Sequence, residues 1–188
     1  MQIHQLSVTY QPEQDRILVR VNSRSGEEMR LWLTRRLMAG LWPVLGKLHT
    51  EQMIKLENVG TALDAADDDL KRMVAEFRKE EFLQKADFDT PYQAKENLPL
   101  GADPLLVTDV DATPLAEGRL RLAFKERVGG AEAKPRGFQM ELDAKLAQGL
   151  MHLLEQALAR ARWREPFVAG SAAAAEPESA GDRPRYLN

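Results

Sequence analysis

The chain has 188 residues, 44% of them hydrophobic and 29% charged, with a formal net charge of -3 and no cysteine. That length fits one domain or two close halves, and a chain of this size buries roughly 70% of the surface that its unfolded form exposes. Disulfides, thiolate metal sites, thiol nucleophiles and redox cysteine pairs are excluded within it.

Met1 to Gln5 lack the basic and apolar regions of a secretory signal. The most apolar stretch, Leu37 to Gly46, contains Pro43 and is shorter than the roughly 20 residues that span a bilayer. The expectation is a soluble cytoplasmic protein with no membrane partner.

Ile3 to Tyr10 alternates Leu6, Val8 and Tyr10 against Gln5, Ser7 and Thr9, the period of a half-buried strand. After a break at Gln11 to Asp15 the alternation resumes with Ile17, Val19 and Val21, and after Asn22 to Gly26 it resumes with Met29, Leu31 and Leu33. Thr34 caps a helix carrying Leu37, Leu41, Leu45 and Leu48, which Pro43 is expected to kink or to break near Gly46. A second amphipathic helix follows the acidic entry Asp64 and Asp67-Asp68-Asp69, with Leu70, Met73, Val74 and Phe77 on its apolar face. Asp87 to Pro104 reads as a connecting loop. Strands are expected over Pro104 to Val110, Arg119 to Arg127 and Gly137 to Leu142, with Asp111 to Pro114 also readable as a turn. Asp143 caps a last helix whose core side is Leu146, Leu150, Leu153 and Ala157, so that Leu146→Asp would place a charge in the core.

The two strand-to-helix junctions match. Leu33-Thr34-Arg35-Arg36-Leu37-Met38-Ala39-Gly40-Leu41 aligns with Leu142-Asp143-Ala144-Lys145-Leu146-Ala147-Gln148-Gly149-Leu150, both reading Leu, cap, x, basic, Leu, x, x, Gly, Leu. Glycine inside a helix costs about 1 kcal/mol, so the paired Gly40 and Gly149 predict close approach of a helix to its neighbour. The fold class expected is α+β: two tandem βββα units with antiparallel sheets packed on helices, pseudo-twofold, plus a helical linker and a disordered C-terminal tail. The units run over 1–60 and 104–166, the linker and loop over 61–103 and the tail over 167–188, with 1–166 one compact domain.

Motifs for chemistry are sparse. Gly40 to Lys47 fails as a phosphate loop because five residues separate its glycines and Leu48 stands where a hydroxyl is needed. His4, His49 and His152 are scattered. Asp109 and Asp111 lie on one side of a strand and form the basis of a third reading, a metal-assisted hydrolase. No serine elbow or dinucleotide fingerprint is present, and no cofactor or metal ligand set is assigned.

The face opposite the core carries Arg16, Arg20, Arg30 and Trp32 in the first unit and Arg119, Arg121 and Lys125 in the second, a set suited to phosphates and stacked bases. Against it stand Glu28, Glu126 and Glu141 on the same strands. Charge is modestly segregated: residues 1 to 60 carry eight Lys/Arg against six Asp/Glu, and residues 61 to 100 carry six against ten. In topology the plan resembles the Whirly and PUR-type single-strand nucleic-acid binders, although those repeats have four strands before the helix and three are found here. The function expected first is a non-catalytic binding or assembly module acting on a protein partner or a second copy, with Trp42 and Trp163 as contacts. Single-stranded nucleic-acid binding through the seven sheet-face residues is the alternative.

Overall fold

The computed structural model describes residues 2–56, 90–127 and 136–163 together with positions 73, 77, 80–82, 84 and 86–88. Strands β1 (Ile3–Gln11), β2 (Arg16–Ser23) and β3 (Glu28–Thr34) form an antiparallel meander that runs directly into helix α1 (Arg35–Leu56). The short β4 (Leu105–Leu106) joins the edge of that sheet parallel to β3, making four strands in the order β1-β2-β3-β4. Strands β5 (Asp109–Pro114), β6 (Leu120–Glu126) and β7 (Arg136–Leu142) form a second antiparallel meander that runs into helix α2 (Ala144–Ala161). The fold is therefore α+β, with one mixed and one antiparallel sheet. The acidic entry at Asp64 to Asp69 and the tail over 167–188 lie outside the described residues, whereas Met73 and Phe77 are helical.

The alternation places one face of each sheet in a common core. Ile17, Val19, Val21, Leu31 and Leu33 of the first sheet are buried, as are Leu120, Leu122, Phe124, Met140 and Leu142 of the second. Both helices start on matching caps. Thr34 Oγ1 accepts the amide of Leu37 at 3.2 Å, and Asp143 Oδ1 accepts that of Leu146 at 2.8 Å.

The helices are placed reciprocally: α2 lies against β1 of the first sheet, and α1 lies against β5 and the turn at 116–118 that precedes β6. Polar groups fix this crossing. The buried Gln52 of α1 donates to the carbonyl of Gly118, and His49 Nε2 meets Gln148 Oε1 of α2.

Five expectations are corrected in detail. The run expected as one strand over Pro104 to Val110 divides between sheets: the amide of Val107 still bonds to Trp32 of β3, while that of Thr108 bonds to Lys125 of β6. A continuous apolar run carries no mark of where the pairing partner changes. Asp111 to Pro114 is strand, because β5 pairs only with β6 and an edge tolerates the missing proline amide. Helix α1 is unbroken through Pro43, beside which Ala39 is exposed, so its carbonyl can turn to water. The core stripe of α2 is Ala147, Leu150, Leu154, Ala157 and Leu158, with Leu146 half-buried at its edge. Gly40 makes no close approach, since a β-carbon there would meet nothing within 4 Å. Gly40→Ala is accordingly expected to raise stability by about 0.4–1 kcal/mol in a urea titration. A loss of stability would reveal a contact that the packing does not show.

Candidate functional site

The basic residues of the first sheet share one face but do not stand open. Residues 91–97 lie across one end of it as a strap. Gln93 gives its carbonyl to Asn22 Nδ2 at 2.8 Å and its amide to Gln5 Oε1 at 3.0 Å, and Gln5 Nε2 reaches the carbonyl of Pro91. Glu28 anchors the strap, because its carboxylate accepts the Tyr92 hydroxyl at 3.1 Å, the Lys95 amide at 2.9 Å and Arg30 Nε at 2.7 Å. Burial pushes that carboxyl up, but the Arg30 hydrogen bond, the Lys95 amide and the Tyr92 hydroxyl outweigh it and hold it below the ordinary carboxylate range. Burial, with Glu28 beside it, raises the Tyr92 phenol.

Arg20 is engaged as well. Its guanidinium sits 4.5 Å from the centre of the Tyr92 ring and donates to Ser7 Oγ at 3.1 Å. The segment expected as a connecting loop is thus a pinned cover. Arg16 and Trp32 lie toward the other end of the face, near Leu18, where all three are half-buried.

On the second sheet the outer face is an ion-pair lattice. Glu141 takes Arg121 at 2.8 Å and Arg119 at 3.2 Å, and Arg121 above all holds the carboxyl of Glu141 below its usual range. Lys125 pairs with Asp111, and Arg127 with Asp109 at 2.9 Å. The two aspartates considered for metal-assisted hydrolysis therefore each face a cation. Among the described residues no group of three or more His, Asp and Glu is placed to hold a metal ion. Behind this face the Arg136 hydrogen bond and the Leu106 amide keep Glu126 below its usual range against its burial, and the same carboxylate ties β6 to β4.

The histidines stay apart in space. His49 serves the contact between the helices, and His152 meets Gln156 at 2.9 Å and the Phe88 ring at 5.0 Å. Trp163 donates to Asp15 Oδ1 at 2.7 Å and stands edge-on to Tyr10 at 5.9 Å, closing the end of α2 onto the turn between β1 and β2. Trp42 packs at the margin of the core.

Grooves stand open beside both helices, one of about 500 Å³ beside α2 at Lys145, Leu146 and Leu153. A groove of about 630 Å³ runs between α1 and β5, lined by Leu37, Gly40, Leu41 and Val44 on one wall and by Val110 and Ala112 on the other. Arg36 stands at its edge, and Val44 is 49% exposed. The chain matches no family model, no curated protein and no solved structure. Among the described residues no helix is long and apolar enough to cross a membrane.

The seven sheet-face residues thus form two clusters: Arg16, Arg20, Arg30 and Trp32 on the first sheet, and Arg119, Arg121 and Lys125 on the second. The groove and the strap were not singled out from sequence. Val44 was the available sign of the first, an apolar residue off the Leu37, Leu41 and Leu45 stripe. Tyr92 was the sign of the second, an aromatic residue in an otherwise polar, proline-bearing segment.

Proposed function

We propose that the chain is a non-catalytic binding or assembly module acting through protein–protein contacts, with two tandem βββα halves related by a pseudo-twofold axis. The matched caps, the matched meanders and the reciprocal helices support the duplication. One observation carries the functional reading: the basic side chains of the second sheet are held in ion pairs, and Arg20 and Arg30 are held under or beside the strap, whereas the apolar groove along α1 is uncovered. Surface arginines tied to carboxylates offer little net positive charge to a phosphate chain, and an open apolar groove favours a protein surface. A cytoplasmic setting belongs to the same proposal and rests on the cysteine-free composition.

The alternative, single-stranded nucleic-acid binding, draws its support from Arg16, Leu18 and Trp32 at the uncovered end of the first sheet. Light scattering after size exclusion, paired with anisotropy of a labelled single-stranded oligonucleotide at low and moderate salt, separates the two. We expect a mass above the 21.2 kDa of one chain, or a bound protein partner, and no salt-sensitive oligonucleotide binding. A lone monomer that binds the oligonucleotide tightly at low salt would reverse the order.

A further inference from the structure

Each helix borders a groove with the first strand of the opposite sheet, and the two grooves are counterparts. Val110 faces Phe124 in the second sheet as Leu6 faces Val21 in the first. The aligned junctions pair Arg36, Leu37, Gly40 and Val44 of α1 with Lys145, Leu146, Gly149 and Leu153 of α2. All eight of those residues line their respective grooves.

The counterparts differ in what lines them. Beside α2, where a cavity of about 500 Å³ remains, the chain supplies two aromatic rings of its own. Phe82 and Phe88 line that groove together with Asp87, and a β-carbon on Gly149 would lie 3.7 Å from the Phe82 ring. The two rings stand edge-on at 6.4 Å, and Phe88 also packs on His152. In sequence residues 80–89 are acidic, with four Asp/Glu against Lys85, and Lys145 lines the same groove as Phe82, Asp87 and Phe88. Beside α1 nothing lies within 4 Å of the position over Gly40, and Val44 is half exposed. Arg36 occupies the place of Lys145, and the one carboxylate lining the groove, Asp109, is paired with Arg127, so a basic edge is kept while no aromatic residue lines the groove.

We propose that the α1–β5 groove docks an acidic protein segment bearing two aromatic side chains six residues apart, as Phe82 and Phe88 line its counterpart. The rings would take the apolar space between Leu37, Val44 and Val110, and a carboxylate would meet Arg36. This inference rests on the reading of the chain as a protein-binding module and names the chemistry of its partner.

The chain itself supplies a probe: a labelled synthetic peptide of residues 80–90, titrated into the full-length protein at low and moderate salt. The expected result is saturable binding that weakens with salt, falls about tenfold or more with Val44→Asp and is kept by Val44→Leu. A peptide carrying Phe82→Ala and Phe88→Ala is expected not to bind. Should Val44→Asp fail to fold, Arg36→Glu on the exposed edge gives the same comparison. No peptide binding overturns the proposal. So does binding that both groove variants leave unchanged, which would mean exchange into the α2 groove. Self-association lost in Val44→Asp without peptide binding assigns the groove to a second copy and likewise overturns it. A protein that fails with the peptide yet exceeds 21.2 kDa by light scattering keeps the assembly reading and loses only this occupant.

Discussion

Glu28→Ala is expected to release the strap over residues 91–97 and to lower stability by about 1.5–3 kcal/mol in a urea titration, the range for losing a hydrogen-bonded charged group whose cationic partner, Arg30, stays 30% exposed. The Glu28 side chain is 0% exposed, and it alone joins Arg30, the Tyr92 hydroxyl and the Lys95 amide. Its loss leaves the Tyr92 hydroxyl and the Lys95 amide without their acceptor and Arg30 without its counter-charge. Hydrogen exchange should then rise at Lys95 and at Glu28, whose replacement still offers an amide to Asn97. Because the folded carboxyl lies below its ordinary value of 4.5, its contribution is fully present above that value and disappears as pH falls through the lowered one. The gap between wild type and Glu28→Gln should therefore be widest near neutral pH and close in acid. Glu126, held down chiefly by Arg136, adds a loss of the same sign. A Glu28→Ala protein that melts like wild type would show that the strap is held by something else.

Leu154→Ala should cost about 2–5 kcal/mol, and Leu154→Asp should abolish the cooperative transition, since this α2 side chain is 2% exposed in the shared core. Leu146→Asp is expected to be milder, because that residue borders the groove holding Phe82 and water can reach the new carboxylate. The ordering is checked by circular dichroism melts of the three variants. Since α2 lies against β1 of the first sheet, hydrogen exchange in β1 should rise in the Leu154 variants although residue 154 follows the other meander. Equal effects of Leu146→Asp and Leu154→Asp would mean that the helix is rotated relative to the face described.

Strands, caps and most core positions were legible in the sequence because each is a local signal. Leu33-Thr34 and Leu142-Asp143 read as strand end and helix cap, and both cap hydrogen bonds are present. The antiparallel meanders were legible too, but the pairing that crosses from one part of the chain to the other was not. Nothing local to Leu105 and Leu106 marks them as a strand of the first sheet, and nothing in Gly40 shows that its helix wall stays bare. The carboxylates opposing the basic face were legible, since Glu28 and Glu141 share its strands and do pair with Arg30 and Arg121. The cover was not: Arg20 meets Tyr92, 72 positions away, through a contact that no periodicity encodes. The apolar groove escaped notice for the converse reason, since Val44 reads as ordinary surface until its opposite wall is known.

The reciprocal helices also fix when this chain can become a protein. During synthesis the first meander and α1 emerge long before α2, the element that covers β1, has been made. Through that interval β1 has no lid, and α1 has no second sheet to settle on. The contacts that close the fold join residues 66 to 148 positions apart, which slows folding and prolongs exposure to chaperones and to neighbouring nascent chains. Joined in one polypeptide, the halves behave as an obligate pair whose members always meet at a fixed, high local concentration.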